Sequence, residues 1–225
     1  MKTLFSICLL LASSVFGQAA PEKALERTFN FNPGDSVQAM QAIGTAVQGI
    51  AVLERITANA EQQLTVQGTL DQIALVEWLM RNIDAPAEPG DSLARKYEMT
   101  SGADRNSVVS VFYLPHTPTI QNLQEIATTV RTVGDIRRVF LYPERKAVVL
   151  RATPEQTEFV EWIFKQLDQP AEAAKAVKLE YIVAGPGDPD NVVRLFSLSP
   201  GTTMERFQEI AVQVRKTTMV RRLFT

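Results

Sequence analysis

The side chains that could do chemistry are few, and their spacing gives them little to do together. The chain has one histidine, His116, and one cysteine, Cys8, so no set of several His or Cys donors exists to hold a metal. Ser110 and Ser101 have no nucleophile-elbow sequence around them, and His116 reads as a loop residue before a helix. Glu77 and Glu161 hold matching helical positions beside Trp78 and Trp162. Each lacks a companion acid in the repeat pattern, so both read as a solvated helix face. Gly185-Pro186-Gly187 lacks the lysine and the helix start of a phosphate loop and reads as a hairpin turn. The residues therefore predict no catalytic, cofactor-binding or metal-binding site, and no enzyme.

Two groups of residues suit recognition better. Arg137-Arg138 recurs as Arg221-Arg222, with Arg55 at the related earlier place. Adjacent strand residues point to opposite faces, so each pair puts one guanidinium on either side of a sheet. Such a pair is either a snorkelling residue with a solvated neighbour or a recurrent ion-pair contact between subunits or repeats. The second group is aromatic. Phe159, Val160, Trp162, Ile163, Phe164 and Leu167 crowd one helix, and Leu75, Val76, Trp78, Leu79, Met80 and Ile83 occupy the matching places 84 residues earlier. Val160, Ile163 and Leu167 make a core stripe, which Phe159 and Trp162 widen beyond the usual arc of about 100°. The helix is either deeply packed or carries a contact, because aromatic residues are enriched at interface cores. Trp78, Trp162, Phe159, Arg137, Arg138, Arg221 and Arg222 are the interface candidates.

Composition disfavours a dedicated nucleic-acid binder. Hydrophobic residues are 45% and charged residues 21% of the 225, the range of ordinary globular chains. A net charge of −2 provides no basic excess to hold a polyanion. Residues 1–17 read as a signal peptide: Met1-Lys2, the apolar run 4–16, then small residues at Gly17, Ala19 and Ala20. Thirteen apolar residues fall short of the roughly 20 that span a bilayer. Cleavage would remove Cys8 and leave an exported chain that enters an oxidising compartment yet cannot use disulfides.

An 84-residue repeat organises the chain beyond the signal. Val76-Glu77-Trp78 recurs as Val160-Glu161-Trp162, and Thr69, Gln72, Asp84 and Pro86 recur as Thr153, Gln156, Asp168 and Pro170. Residues 123–140 match 207–224 at nine of eighteen positions in the same register. The expected units are repeat domains at 18–90 and 91–174 and an incomplete one at 175–225. Linkers fall at 84–91 and 169–174, where prolines and small residues stop the preceding helix. The second copy predicts strands at 96–99 and 108–114 around a turn, a helix near 119–131 with Ile120, Leu123, Ile126, Ala127 and Val130 on one stripe, and strands at 137–142 and 147–151. A closing helix starts at the capping box Thr153-Pro154-Glu155-Gln156. The first copy keeps only the second strand of its hairpin, at 28–31, after a loose polar lead over 21–27. The fold class is α+β: tandem small domains of β-hairpin–α–β–β–α, each a two-helix layer on one face of a small sheet.

Leu64-Thr65-Val66-Gln67-Gly68 running into 69–84, and Ala147-Val148-Val149-Leu150-Arg151 running into 153–168, carry a resemblance. They are similar to the short N-terminal repeat domains of secretins, the outer-membrane ring proteins of type II and type III secretion and type IV pilus systems. The resemblance covers 28–84, 96–168 and the opening of a third copy, and it consists of apolar positions and caps with no chemical motif. It implies a periplasmic module that packs into rings and meets partner proteins. The sequence lacks the pore-forming β-rich domain of that family, and its third copy stops within the third strand. The expectation is a piece of a longer protein, with completion by another chain through strand addition as the sharper alternative.

The function expected is a non-enzymatic interaction module that binds protein partners or itself in an envelope or secretion assembly, reaching a membrane only indirectly through that complex. No nucleic-acid partner is expected, since the chain has no basic excess, and the related arrangement of KH modules is set aside because no G-x-x-G loop joins the helices. A different class, an envelope protein binding a small ligand or glycan in grooves between repeats, is the alternative.

Overall fold

A computed structural model describes residues 24–31, 35–59, 61–83, 94–99, 106–170, 178–182, 192–198, 201–218, 220 and 223. The expected signal segment, the linker over 84–91, most of the one over 169–174, and the hairpin turns over 101–105 and 185–190 lie outside them.

The described residues form an α+β arrangement of three antiparallel sheets. The first sheet contains β1 (Leu25–Asn30), β2 (Arg55–Ala58) and β3 (Gln63–Gly68) in the order β1-β3-β2. Two helices, α1 (Val37–Ala51) and α2 (Leu70–Ile83), complete this layer. The second sheet has the order β4-β5-β7-β6, from β4 (Ala94–Glu98), β5 (Val108–Tyr113), β6 (Arg138–Tyr142) and β7 (Ala147–Ala152). Its helices are α3 (Ile120–Val133) and α4 (Pro154–Leu167). The third sheet pairs β8 (Lys178–Ile182) with β9 (Val192–Phe196), followed by α5 (Met204–Thr217).

Local sequence explains the starts of the helices. Ser36, Thr119, Thr153 and Thr203 each accept a backbone N–H of the first turn. Thr153 and Gln156 form the expected reciprocal capping box. Thr69 and Gln72 do the same at α2, with Thr69 N to Gln72 Oε1 at 2.8 Å and Gln72 N to Thr69 Oγ1 at 3.3 Å. Both glutamines have a second role. Gln72 Nε2 donates to the Val52 carbonyl at 2.8 Å, and Gln156 Nε2 to the Gly134 carbonyl at 2.9 Å. Each cap thereby ties the start of one helix to the end of the helix before it.

The strand β1 starts earlier than the sequence suggests. Leu25–Arg27 belong to it and pair with β3, and Arg27 meets Glu77 of α2 at 2.7 Å, so the supposedly loose lead is ordered by a neighbour distant in sequence. Two apolar assignments also change. Ile120 is 56% and Leu167 38% exposed, because each sits at a helix end where the stripe runs past its sheet.

The arrangement of the layers decides the rest. As expected, α3 and α4 cover one face of the second sheet, where Phe112, Leu114, Val148 and Leu150 pack with Leu123, Val130, Val160 and Phe164. The opposite face is buried too. Val109, Val111, Val149 and Ala147 share a core with Ile43, Val47, Ile50, Leu79 and Ile83 of α1 and α2. Every residue of β5 and β7 is consequently buried, which matches their near-continuous apolar runs. The close approach of α1 to β6 depends on Gly49, since a Cβ there would fall 2.0 Å from the Phe140 ring.

The first sheet differs at its outer face. Pairing places Thr28 opposite Thr65 as it places Val111 opposite Val149 in the second sheet. Where the second sheet offers valines to a helix layer, the first offers a Thr28–Thr65 hydroxyl contact at 3.0 Å.

Val149→Thr tests the two-sided burial. The substitution keeps the shape but buries a hydroxyl without a partner, costing about 1–3 kcal/mol in chemical denaturation. A sheet covered on one side only would tolerate it.

Candidate protein-interaction site

The contacts between layers repeat one pattern. Trp78 on α2 lies against Tyr97 on β4, with ring centroids 5.5 Å apart. Trp162 on α4 lies against Tyr181 on β8 at 5.1 Å, and both members of this pair stand 84 positions beyond those of the first. Phe159 joins the second cluster at 5.4 Å from Tyr181 and 6.4 Å from Trp162. The breadth of the apolar arc on α4 thus has a physical reason: Val160 and Ile163 face their own sheet, while Phe159 and Trp162 also meet the next one. Sequence reasoning missed the tyrosines, although their 84-residue spacing was available to read.

Polar groups cross the same boundary. A helix leaves its last carbonyls without intrahelical partners, and cations suit that end. The last turn of α1 has no basic residue. Arg151 of β7 supplies one, with Nη1 donating to the Ile50 carbonyl at 3.1 Å and Nε to the Asn106 carbonyl at 2.9 Å. At the end of α2 the Tyr113 hydroxyl donates to the Asn82 carbonyl, and the Arg95 guanidinium lies 5.4 Å over the Tyr113 ring. By sequence alone Arg151 is only a polar break in an apolar run.

The arginine pairs separate. Arg137 is exposed just before β6. Arg138 is half-buried and opposite Arg151 in the sheet. Arg221 and Arg222 lie outside the described residues. Glu77 and Glu161 are each in an ion pair, Arg27–Glu77 at 2.7 Å and Lys96–Glu161 at 2.9 Å, so they are less solvated than the helix-face reading implies. His116 is exposed in a turn, and Ser110 is fully buried in β5, its hydroxyl without a hydrogen bond among the described residues. The two cannot act together. Among the described residues no cluster of three or more His, Cys, Asp or Glu could hold a metal, and no helix is long and apolar enough to cross a membrane.

No known protein-family pattern matches the chain, and no curated protein is similar to it in sequence. Among solved structures it is similar to the N-terminal domain of the secretin XcpQ from Pseudomonas aeruginosa, at 11% identity and a TM-score of 0.26 over 67% of this chain and 65% of that one. It is also similar to Aeromonas hydrophila ExeD, at 11% identity and 0.25 over 86% and 41%. The type II secretion system secretin GspD of E. coli K12 matches at 10% identity and 0.22 over 87% and 39%. The chain thus spans between about two fifths and two thirds of these proteins.

The layer contacts make two outcomes measurable. Arg151→Met leaves the Ile50 and Asn106 carbonyls without their donor and lowers stability by about 1–3 kcal/mol, with Arg151→Lys recovering only part because an ammonium cannot reproduce the guanidinium fork. Burial, helped by the negative charge of Glu158, raises the Tyr181 pKa. The folded state therefore prefers the neutral phenol. Its contribution is complete below the free tyrosine value of about 10 and is lost as pH climbs through the raised value. Trp162 emission should report release of the β8–β9 hairpin at alkaline pH, and Tyr181→Phe should remove that dependence.

Proposed function

We propose that the chain is a non-enzymatic interaction module of an envelope or secretion assembly, built of 84-residue repeats like those of secretin N-terminal domains and acting by packing and docking. The observation that carries this reading is the layer contact made twice, Trp78 with Tyr97 and Trp162 with Tyr181. A module whose helices on one side of a sheet bind the next sheet is suited to present a rigid, elongated surface. The sequence resemblance over 64–84 and 147–168 supports the same reading and a periplasmic location behind a cleaved signal over 1–17. The repeat domains are proposed at 18–90, 91–174 and 175–225. Arg221 and Arg222, with Trp78, Trp162, Phe159, Arg137 and Arg138, remain the proposed contact residues.

Light scattering on residues 18–225 tests the proposal. Defined oligomers are expected, and Trp162→Ala should reduce them while the circular dichroism of the first two layers persists. A strictly monomeric chain that gains thermal stability from cell-wall fragments would overturn the proposal in favour of ligand binding.

A further inference from the structure

The strand β6 ends the second sheet, so one of its edges has no strand beside it among the described residues. The Arg131 Nη2 donates to the Val139 carbonyl at 2.6 Å from α3, across that edge. In an antiparallel strand the N–H and C=O of one residue point the same way, and alternate residues share that direction. Val139 and Leu141 therefore direct their peptide groups outward, roughly 7 Å apart.

Beside them lies a groove of about 460 Å³ between β6 and the first half of α1. Its far wall is polar, with Gln38, Gln41 and Thr45. Two turns of helix and three residues of strand have the same length, about 10 Å. An extended peptide fits this place in two respects: β6 offers it backbone partners, and the glutamines offer hydrogen bonds on its other side. Charge narrows the choice further. Arg131 is the one charged residue lining the groove, with Arg137 exposed just before β6, while the carboxylate of Glu144 is held by Ser36 at the start of α1.

We propose that the β6 edge is a docking site for an extended acidic segment of a partner protein, which adds as a strand and places a carboxylate on Arg131. This rests on the interaction-module reading and names the chemistry of the partner. Arg131 holds the edge closed while it is empty, a usual protection against unwanted strand pairing. On binding, its guanidinium moves from the Val139 carbonyl to the incoming carboxylate, and a peptide N–H of the partner takes that carbonyl. Arg137, exposed at the mouth of the strand, adds long-range attraction. Strand addition supplies affinity through the main chain and specificity through alternate side chains.

The test uses the full chain and two end-blocked six-residue Thr/Val peptides, one with a central glutamate and one with glutamine. Fluorescence anisotropy should show at least tenfold tighter binding of the glutamate peptide, and the Leu141 N–H should gain protection from hydrogen exchange. Arg131→Gln, at an exposed position, should abolish the difference between peptides, with thermal unfolding lowered only by loss of the Val139 bond and the fold retained. Equal binding of the two peptides, or no protection at Leu141, overturns the inference. Concentration-dependent protection at Leu141 without peptide would assign the edge to a second copy and also overturn it. Oligomers that persist when the peptides fail leave the broader interaction reading standing, so the two failures are distinguishable.

Discussion

Burial of the second sheet on both faces is the constraint on which the rest of the structure depends. A sheet with one wet face needs alternating residues, whereas β5 and β7 carry apolar residues on nearly every position. Their outward valines have no place in water, so α1 and α2 must serve two sheets at once. This forces α1 to be apolar around most of its surface and to be bare at Gly49, where Phe140 arrives. The polar outer face of the first sheet is the complementary solution: among the described residues no helix layer covers it, and threonines replace the valines.

Packing apolar layers brings helix ends into the interior, and their carbonyls then need donors. Arg151 and Tyr113 provide them from the following sheet, at Ile50 and Asn82. These bonds contribute modest net stability, but they have direction, which apolar contact does not. They fix the rotation of one layer on the next. The aromatic pairs act similarly at the sides, and their recurrence at Trp162 and Tyr181 indicates a rule of assembly that depends only on neighbours.

Much of this was legible in the sequence because it is local. Caps at Thr69 and Thr153, the helix periodicity and the apolar strands follow from short-range rules and carry the α+β class. The contacts between layers were not legible in the same way. The wide arc of α4 fitted either deep packing or an extra contact and did not name Tyr181, because periodicity tells how much of a helix is covered and not by what. Arg151 could not be paired with Ile50 from sequence, since the two lie 101 residues apart and no rule of spacing links them. The chemical inventory was easier to read, because single histidine and cysteine residues limit a site before any folding is considered.

The shared role of α1 also has a temporal side. Its second apolar surface meets β7, which leaves the ribosome about a hundred residues later. At the usual 5–20 residues per second, the first layer waits roughly 5–20 s with a face meant for a sheet that does not yet exist. During that interval it is a sticky, half-dressed intermediate. The chain therefore gains from being kept away from other copies until its second sheet has been delivered.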